Sequence, residues 1–242
     1  MSEKYTAIVL SAGSGSRMKS SVPKQYMDLL GKPVLYYSLF AFQTSDVDEI
    51  ILVTGAKDIE YCRKQIVDKY SLTKVKHIVP GGDERYKSVY EGLKAAKGAD
   101  YILIHDGARP MLDKDIITRS MISVKKDRAC VVAVPVKDTI KIVDEDNYAV
   151  STPDRSTLWQ VQTPQSFDYG ILSAAYNKIY EDIESGKNVP MITDDAMIIE
   201  YATDVKVRII DGTYKNIKVT TPEDMGGAEV FLKKCKKNEN YC

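Results

Sequence analysis

The sequence is poor in residues that build metal clusters or disulfide frameworks. Its 242 residues include four cysteines and two histidines, and Cys62, Cys130, Cys235 and Cys242 are scattered with no C-x-x-C pair. A Cys/His zinc cluster needs closely spaced ligands, which His77 and His105 cannot complete, so the thiols are expected to be reduced and unpaired. No apolar run approaches the length of a membrane span, and Met1-Ser2-Glu3-Lys4 leads into a strand-like segment without an apolar signal region. A cytoplasmic protein with no membrane partner is expected. An excess of one charge is missing too, since 34 Lys and Arg balance 34 Asp and Glu. That balance, with one tryptophan and no regular tyrosine spacing, gives no footprint for nucleic acid. An anionic ligand would have to be held by locally placed cations.

What is present is a rhythm. The runs Thr6–Leu10, Ile50–Thr54, Val75–Val79, Tyr101–His105 and Ala129–Val134 are apolar and β-branched, and they alternate with helical spacing over Val34–Gln43, Lys57–Lys69, Tyr86–Ala96 and Lys114–Lys125. Continuous hydrophobicity in the strands implies burial on both faces, as in a mostly parallel sheet flanked by helices. The length suits a single α/β domain over residues 1–242. Ligands of such sheets bind beyond the carboxyl ends of the strands, here Ser11-Ala12, Pro80-Gly81-Gly82 and His105-Asp106.

The rhythm breaks after Pro135. Thr139–Val143 and Tyr148–Thr152 flank a polar turn, which predicts a protruding β-hairpin arm within 136–159. A lone hairpin is marginally stable, so the arm should pack on its own domain or on another subunit. Helices follow at Tyr169–Ile183 and Asp195–Tyr201, strands at Val205–Ile210 and Lys215–Val219, and a last helix from Glu223.

The most informative stretch is Ser11-Ala12-Gly13-Ser14-Gly15-Ser16-Arg17-Met18, then Pro23-Lys24-Gln25. Glycines free backbone N–H groups to surround phosphate oxygens. The loop has no third glycine for a dinucleotide fingerprint and no Gly-Lys-Ser/Thr for a Walker A loop. It does place cations at Arg17 and Lys24, a spacing that suits a triphosphate; a glycine turn with two solvated cations is the plainer alternative.

This loop resembles the signature of the cytidylyltransferases of isoprenoid precursor synthesis. The similarity continues in order through Gly81-Gly82-Asp83-Glu84-Arg85 with Ser88-Val89, His105 to Pro110, Asp138 to Lys141, Gln162-Thr163-Pro164-Gln165, Thr193-Asp194-Asp195 and Asn216 to Thr220. Two departures are Ser11, where the family usually has alanine, and Gly107, a place more often alanine. The resemblance implies a Rossmann-like nucleotidyltransferase domain that transfers CMP from CTP to 2-C-methyl-D-erythritol 4-phosphate, a small polyol phosphate, and releases pyrophosphate.

It also implies roles. Arg17 and Lys24 would contact the triphosphate, Lys218 the α-phosphate region, and Ser11, Ala12, Gly13 and Gly15 would form the loop around CTP. Gly82, Asp83 and Ser88 would recognise cytosine, although Asp83 also suits a helix N-cap. Asp106 would contact ribose or ligate Mg²⁺. Arg109, Thr139, Arg155 and Thr163 would hold the acceptor, with Thr139 and Arg155 reaching into the neighbouring subunit of a homodimer. Arg17, Lys24, Arg155 and Lys218 are thus the expected catalytic cations. His105 is expected to be a packed strand residue, and Thr193 the cap of the helix that follows it. The alternatives are a ribitol-5-phosphate cytidylyltransferase and a non-catalytic nucleotide-binding regulatory protein. Leu158-Trp159 and Arg85-Tyr86-Lys87-Ser88 look more like the isoprenoid enzyme, and cations at both the leaving-group and acceptor ends exceed what pure binding needs.

Overall fold

The computed structural model describes residues 3–13 and 22–237. The first strand, β1 (Tyr5–Ser11), sends Ile8 into one core cluster and Ala7 and Val9 into the other. A strand buried on both faces must lie inside a helix-covered sheet. A short ribbon, β2 (Asp28–Leu29) with β3 (Lys32–Pro33), precedes α1 (Val34–Gln43) and β4 (Glu49–Thr54). Helix α2 (Ile59–Cys62), prolonged by a π-turn over Arg63–Asp68, leads to β5 (Val75–Pro80). Then come α3 (Arg85–Ala95), β6 (Tyr101–Asp106), α4 (Lys114–Asp127) and β7 (Ala129–Pro135).

The hairpin forms as expected but is shorter, β8 (Ile142–Val143) with β9 (Ala149–Ser151), its turn closed by Asp144 Oδ1 accepting from the N–H groups of Asp146 and Tyr148. Among the described residues it pairs with no strand of the main sheet. After it run β10 (Trp159–Asp168), α5 (Tyr169–Glu184), α6 (Asp195–Ala202), β11 (Arg208–Asp211) and α7 (Pro222–Lys237).

Seven strands form one sheet in the order β11-β7-β10-β6-β1-β4-β5. All neighbours are parallel except β10, which is antiparallel to both β6 and β7. One core cluster packs α3, α5 and α6 on the sheet through Val89, Leu172, Tyr176 and Ile198; the other packs α1, α2 and α4 through Leu35, Phe42, Cys62 and Ile116. A third cluster seats α7 by Ala228 and Leu232 against Leu29, Met111 and Val219. Cys62 and Cys130 are buried, free thiols. No described helix is long and apolar enough to cross a membrane.

Two expectations need correction. Strand β10 is absent from the sequence reading because its inward residues are polar: Gln162, Thr163, Gln165 and Ser166 are all buried, and Pro164 interrupts any strand signal. Conversely, Lys215–Val219 is irregular, not a strand. Its apolar Val219 is buried under α7, not in a ladder, and only its N–H reaches Ala108 O.

Candidate active site

From β1 the chain builds outward through β4 and β5, then returns to place β6 on the other side of β1. That reversal opens a crevice at the carboxyl ends of β1 and β6, where Ser11 and Asp106 sit. The crevice is a cleft of about 410 Å³, whose walls include Ser11, Ala12, Gly13, Lys24, Gly82, Asp83, Ser88, Asp106 and Lys218. The structure thus brings together four segments that the sequence reading assigned to CTP. Gly15 and Arg17 lie outside the described residues.

The loop is fastened from below. Gln25, buried in the turn Lys24–Tyr26, donates through Nε2 to Ser11 O at 2.8 Å and Gly13 O at 3.1 Å. This ties Lys24 to the strand end from which the glycine loop departs. The serine at position 11 is accommodated by Thr54, whose Oγ1 accepts from Ser11 Oγ at 3.3 Å and also bonds the Tyr26 hydroxyl at 2.6 Å. Gly107 has its own reason: a Cβ there would stand 2.9 Å from Leu10 O and 2.7 Å from Leu35 Cδ1. Gly81 likewise permits close approach, since a Cβ would meet Ala12 Cβ at 2.6 Å and Ser88 Oγ at 2.7 Å.

Ser88 donates to Glu84 O at 3.1 Å at the start of α3. Asp83 does not cap this helix; the N-cap position is Glu84, and exposed Asp83 pairs with Lys87 at 2.9 Å. Lys87 also meets Glu84 at 3.1 Å, so the acidic rim of the cleft is partly neutralised.

Three cations converge on Asp106. Lys218 Nζ is 2.9 Å from Oδ2, Arg109 Nε 3.7 Å from Oδ2, and Arg85 Nε 3.5 Å from Oδ1. Burial alone would raise the Asp106 pKa; Arg85, Lys218 and Arg109 reverse that and hold the carboxyl well below the usual carboxylate range. Asp106 therefore presents an ionised carboxylate at neutral pH. Among the described residues no group of three or more His, Cys, Asp or Glu could cage a metal. A single carboxylate fits Mg²⁺, which commonly keeps waters and binds largely through substrate phosphates.

Behind Asp106 lies a buried relay. The Asp106 N–H donates to Thr163 Oγ1 at 3.2 Å, Thr163 bonds His105 Nδ1 at 2.9 Å, and His105 Nε2 faces Arg109 O at 3.3 Å. A carbonyl can only accept, so Nε2 carries the proton and Nδ1 accepts from the threonine hydroxyl. Burial lowers the His105 pKa to about 4, which keeps the ring neutral. His105 is a packed strand residue, as expected. Arg109 is spent similarly, donating through Nη1 to Asn216 O at 2.8 Å; it and Thr163 support Asp106 from behind.

Thr139 and Arg155 stand apart, exposed in the arm, and do not line the cleft of their own chain. Arg155 donates to Lys137 O at 2.9 Å. Asp194, rather than Thr193, caps α6, accepting from Met197 N at 3.0 Å. The sequence reading did not single out Arg85 or Gln25, although both sit inside motifs it quoted. Their partners, a buried carboxylate on α6 and two loop carbonyls, are visible only in the fold.

A glycine loop at the switch point of a parallel sheet, with cations gathered around one ionised carboxylate, defines a nucleotidyltransferase-type site. Residues 5–234 match the family model described as 2-C-methyl-D-erythritol 4-phosphate cytidylyltransferase. The protein of that name from Lachnospira eligens is 50% identical over 229 residues, 94% of this chain and 99% of that one; the one from Caldanaerobacter subterraneus is 43% identical over 95% of this chain and 99% of its own length. Among solved structures, the 4-diphosphocytidyl-2C-methyl-D-erythritol synthase of Anaerococcus prevotii superposes with a TM-score of 0.82 at 34% identity, covering 96% of both chains. This chain belongs to the 2-C-methyl-D-erythritol 4-phosphate cytidylyltransferase family.

Proposed function

We propose that the protein transfers CMP from CTP to 2-C-methyl-D-erythritol 4-phosphate, giving 4-diphosphocytidyl-2-C-methyl-D-erythritol and pyrophosphate in the non-mevalonate isoprenoid pathway. The observation that carries this reading is the meeting, in one cleft, of the Ser11–Gly13 loop, Lys24, the Gly82–Ser88 turn, Asp106 and Lys218.

A phosphate oxygen of the acceptor attacks the α-phosphorus of CTP; the new P–O bond forms as the bond to the bridging oxygen of pyrophosphate breaks. The attacking phosphate monoester is already ionised, so no general base is required. The task of the protein is positioning and charge neutralisation. Arg17 and Lys24 hold the triphosphate, and Lys218 sits at the α-phosphate. Gly82, Asp83 and Ser88 meet the cytosine, and Asp106 meets the ribose or a bound Mg²⁺. When bound, Mg²⁺ supplies neutralisation of phosphate charge, with Asp106 as its protein ligand.

Thr139 and Arg155 serve the acceptor site of a neighbouring subunit in a homodimer, where Arg109 and Thr163 act indirectly, by supporting Asp106 from behind. The arm supports this reading, since Ile140, Ile142, Val143, Tyr148 and Val150 are all exposed on it, an apolar surface that a second copy would cover. The reaction is assigned to the cytoplasm. Incubation with CTP, the methylerythritol phosphate and Mg²⁺ should release pyrophosphate and form the diphosphocytidyl product in equal amounts; CTP binding with no pyrophosphate release would reject the enzyme reading.

A further inference from the structure

The two carboxylates at the start of α6 have different surroundings. Asp194 caps the helix and accepts from Gln165 Nε2 at 2.9 Å. Asp195 is fully buried. Its Oδ1 accepts from the Tyr176 hydroxyl at 2.8 Å, while Oδ2 meets the cation of Arg85, with Nη2 at 2.8 Å. The backbone around it is fixed as well, because Gln165 Oε1 accepts from the N–H groups of Asp195 and Ala196 at 2.9 and 3.2 Å.

The same guanidinium points its Nε at Asp106 Oδ1, 3.5 Å away. Lys218 and Arg109 approach Oδ2 instead. The two oxygens of Asp106 thus face different cations. Arg85 supplies the cation on Oδ1. A buried carboxylate needs its counter-charge, so Asp195 holds Nη2 while Nε of the same rigid planar group faces Asp106, a fixed pairing that a lysine could not make.

We propose that Arg85 is a positioning residue for this reaction: anchored by Asp195, it fixes the orientation in which the Asp106 carboxylate meets CTP. The inference rests on the reading of the cleft as a CTP site. Arg85→Gln leaves Asp195 buried without its cation and lowers Tm; adding Asp195→Asn restores most of that loss. In the restored double variant, kcat/KM for CTP and calorimetric CTP affinity both fall, the former about 10- to 100-fold. In an Asp106→Asn background the same pair of changes costs about 2-fold or less, because the group being positioned is gone. Arg85→Lys, measured in both backgrounds, gives an intermediate loss that also vanishes with Asp106, and it serves as the test if the double variant does not fold. Wild-type kcat/KM and CTP affinity in the stable variants, or an equal loss with and without Asp106, would overturn the proposal. Failure of the wild type to release pyrophosphate would instead overturn the functional reading, and the CTP-binding measurements would still decide the role of Arg85.

Discussion

Lys218 Nζ lies 2.9 Å from Asp106 Oδ2, joining the irregular segment ahead of α7 to the end of β6. This ion pair closes one side of the cleft and keeps a cation where a nucleotide phosphate would enter. Lys218→Ala is expected to reduce kcat by about 10²–10³-fold with a smaller change in CTP affinity, since the role proposed for the lysine is to neutralise charge that grows in the transition state. Steady-state kinetics beside calorimetric CTP binding check this; a loss confined to affinity would place Lys218 in ground-state binding only.

Gln25 gives a prediction about loop order. Among the described residues its hydrogen bonds go to the backbone carbonyls of Ser11 and Gly13, so the side chain must donate. Gln25→Glu presents a carboxylate to those carbonyls and should be worse than Gln25→Ala, which costs about 1–3 kcal/mol of stability through unsatisfied carbonyls. KM for CTP should rise in both. Equal behaviour of the two variants in melting and kinetics would count against the clamp.

The His105 ring should titrate near pH 4, because burial lowers its pKa to about 4. An unfolded histidine titrates near pH ~6.5. The unfolded state therefore takes up the proton first, and the stability linked to this ring is complete above pH ~6.5 and falls as pH drops from there toward 4. Ring-carbon NMR shifts of His105 should stay flat between pH 7 and 5.5 and move only below that. An inflection near pH 6.5 would mean that the ring is solvated and that the Thr163 relay is absent.

The arm carries a prediction about assembly. Arg155 is exposed at its base and outside the cleft of its own chain. Mixing inactive Lys24→Ala with inactive Arg155→Ala subunits should restore about one quarter of full activity, because each heterodimer of a twofold assembly then holds one intact composite site. No recovery despite demonstrated subunit exchange would assign Arg155 to its own subunit.

Strands β1, β4, β6 and β7 were legible because burial on both faces leaves a run of apolar residues that no other element explains, whereas β5, an edge strand with no buried residue, was legible from its β-branched Val75, Ile78 and Val79 alone. The cleft segments at Ser11–Gly13, Gly82 and Asp106 were legible by their places just beyond or at the carboxyl ends of strand runs, whereas Lys218, in an irregular segment, was legible only through the resemblance. β10 was hidden because its buried side chains, Gln162 and Gln165 among them, are spent on bonds to Thr213 O and to the start of α6. Buried amides in a strand look like a loop until their partners are known. Asp195 was ambiguous for the same reason. Nothing near it in the chain announces Arg85, and a capping aspartate and a buried counter-ion look identical in sequence.

The account depends most on the cleft choosing both a base and an acceptor. Initial rates of pyrophosphate release should therefore be compared with CTP or UTP as donor and with 2-C-methyl-D-erythritol 4-phosphate or ribitol 5-phosphate as acceptor. CTP with the methylerythritol phosphate should be the fastest of the four combinations, and faster turnover of ribitol 5-phosphate, or of UTP, would contradict the assignment.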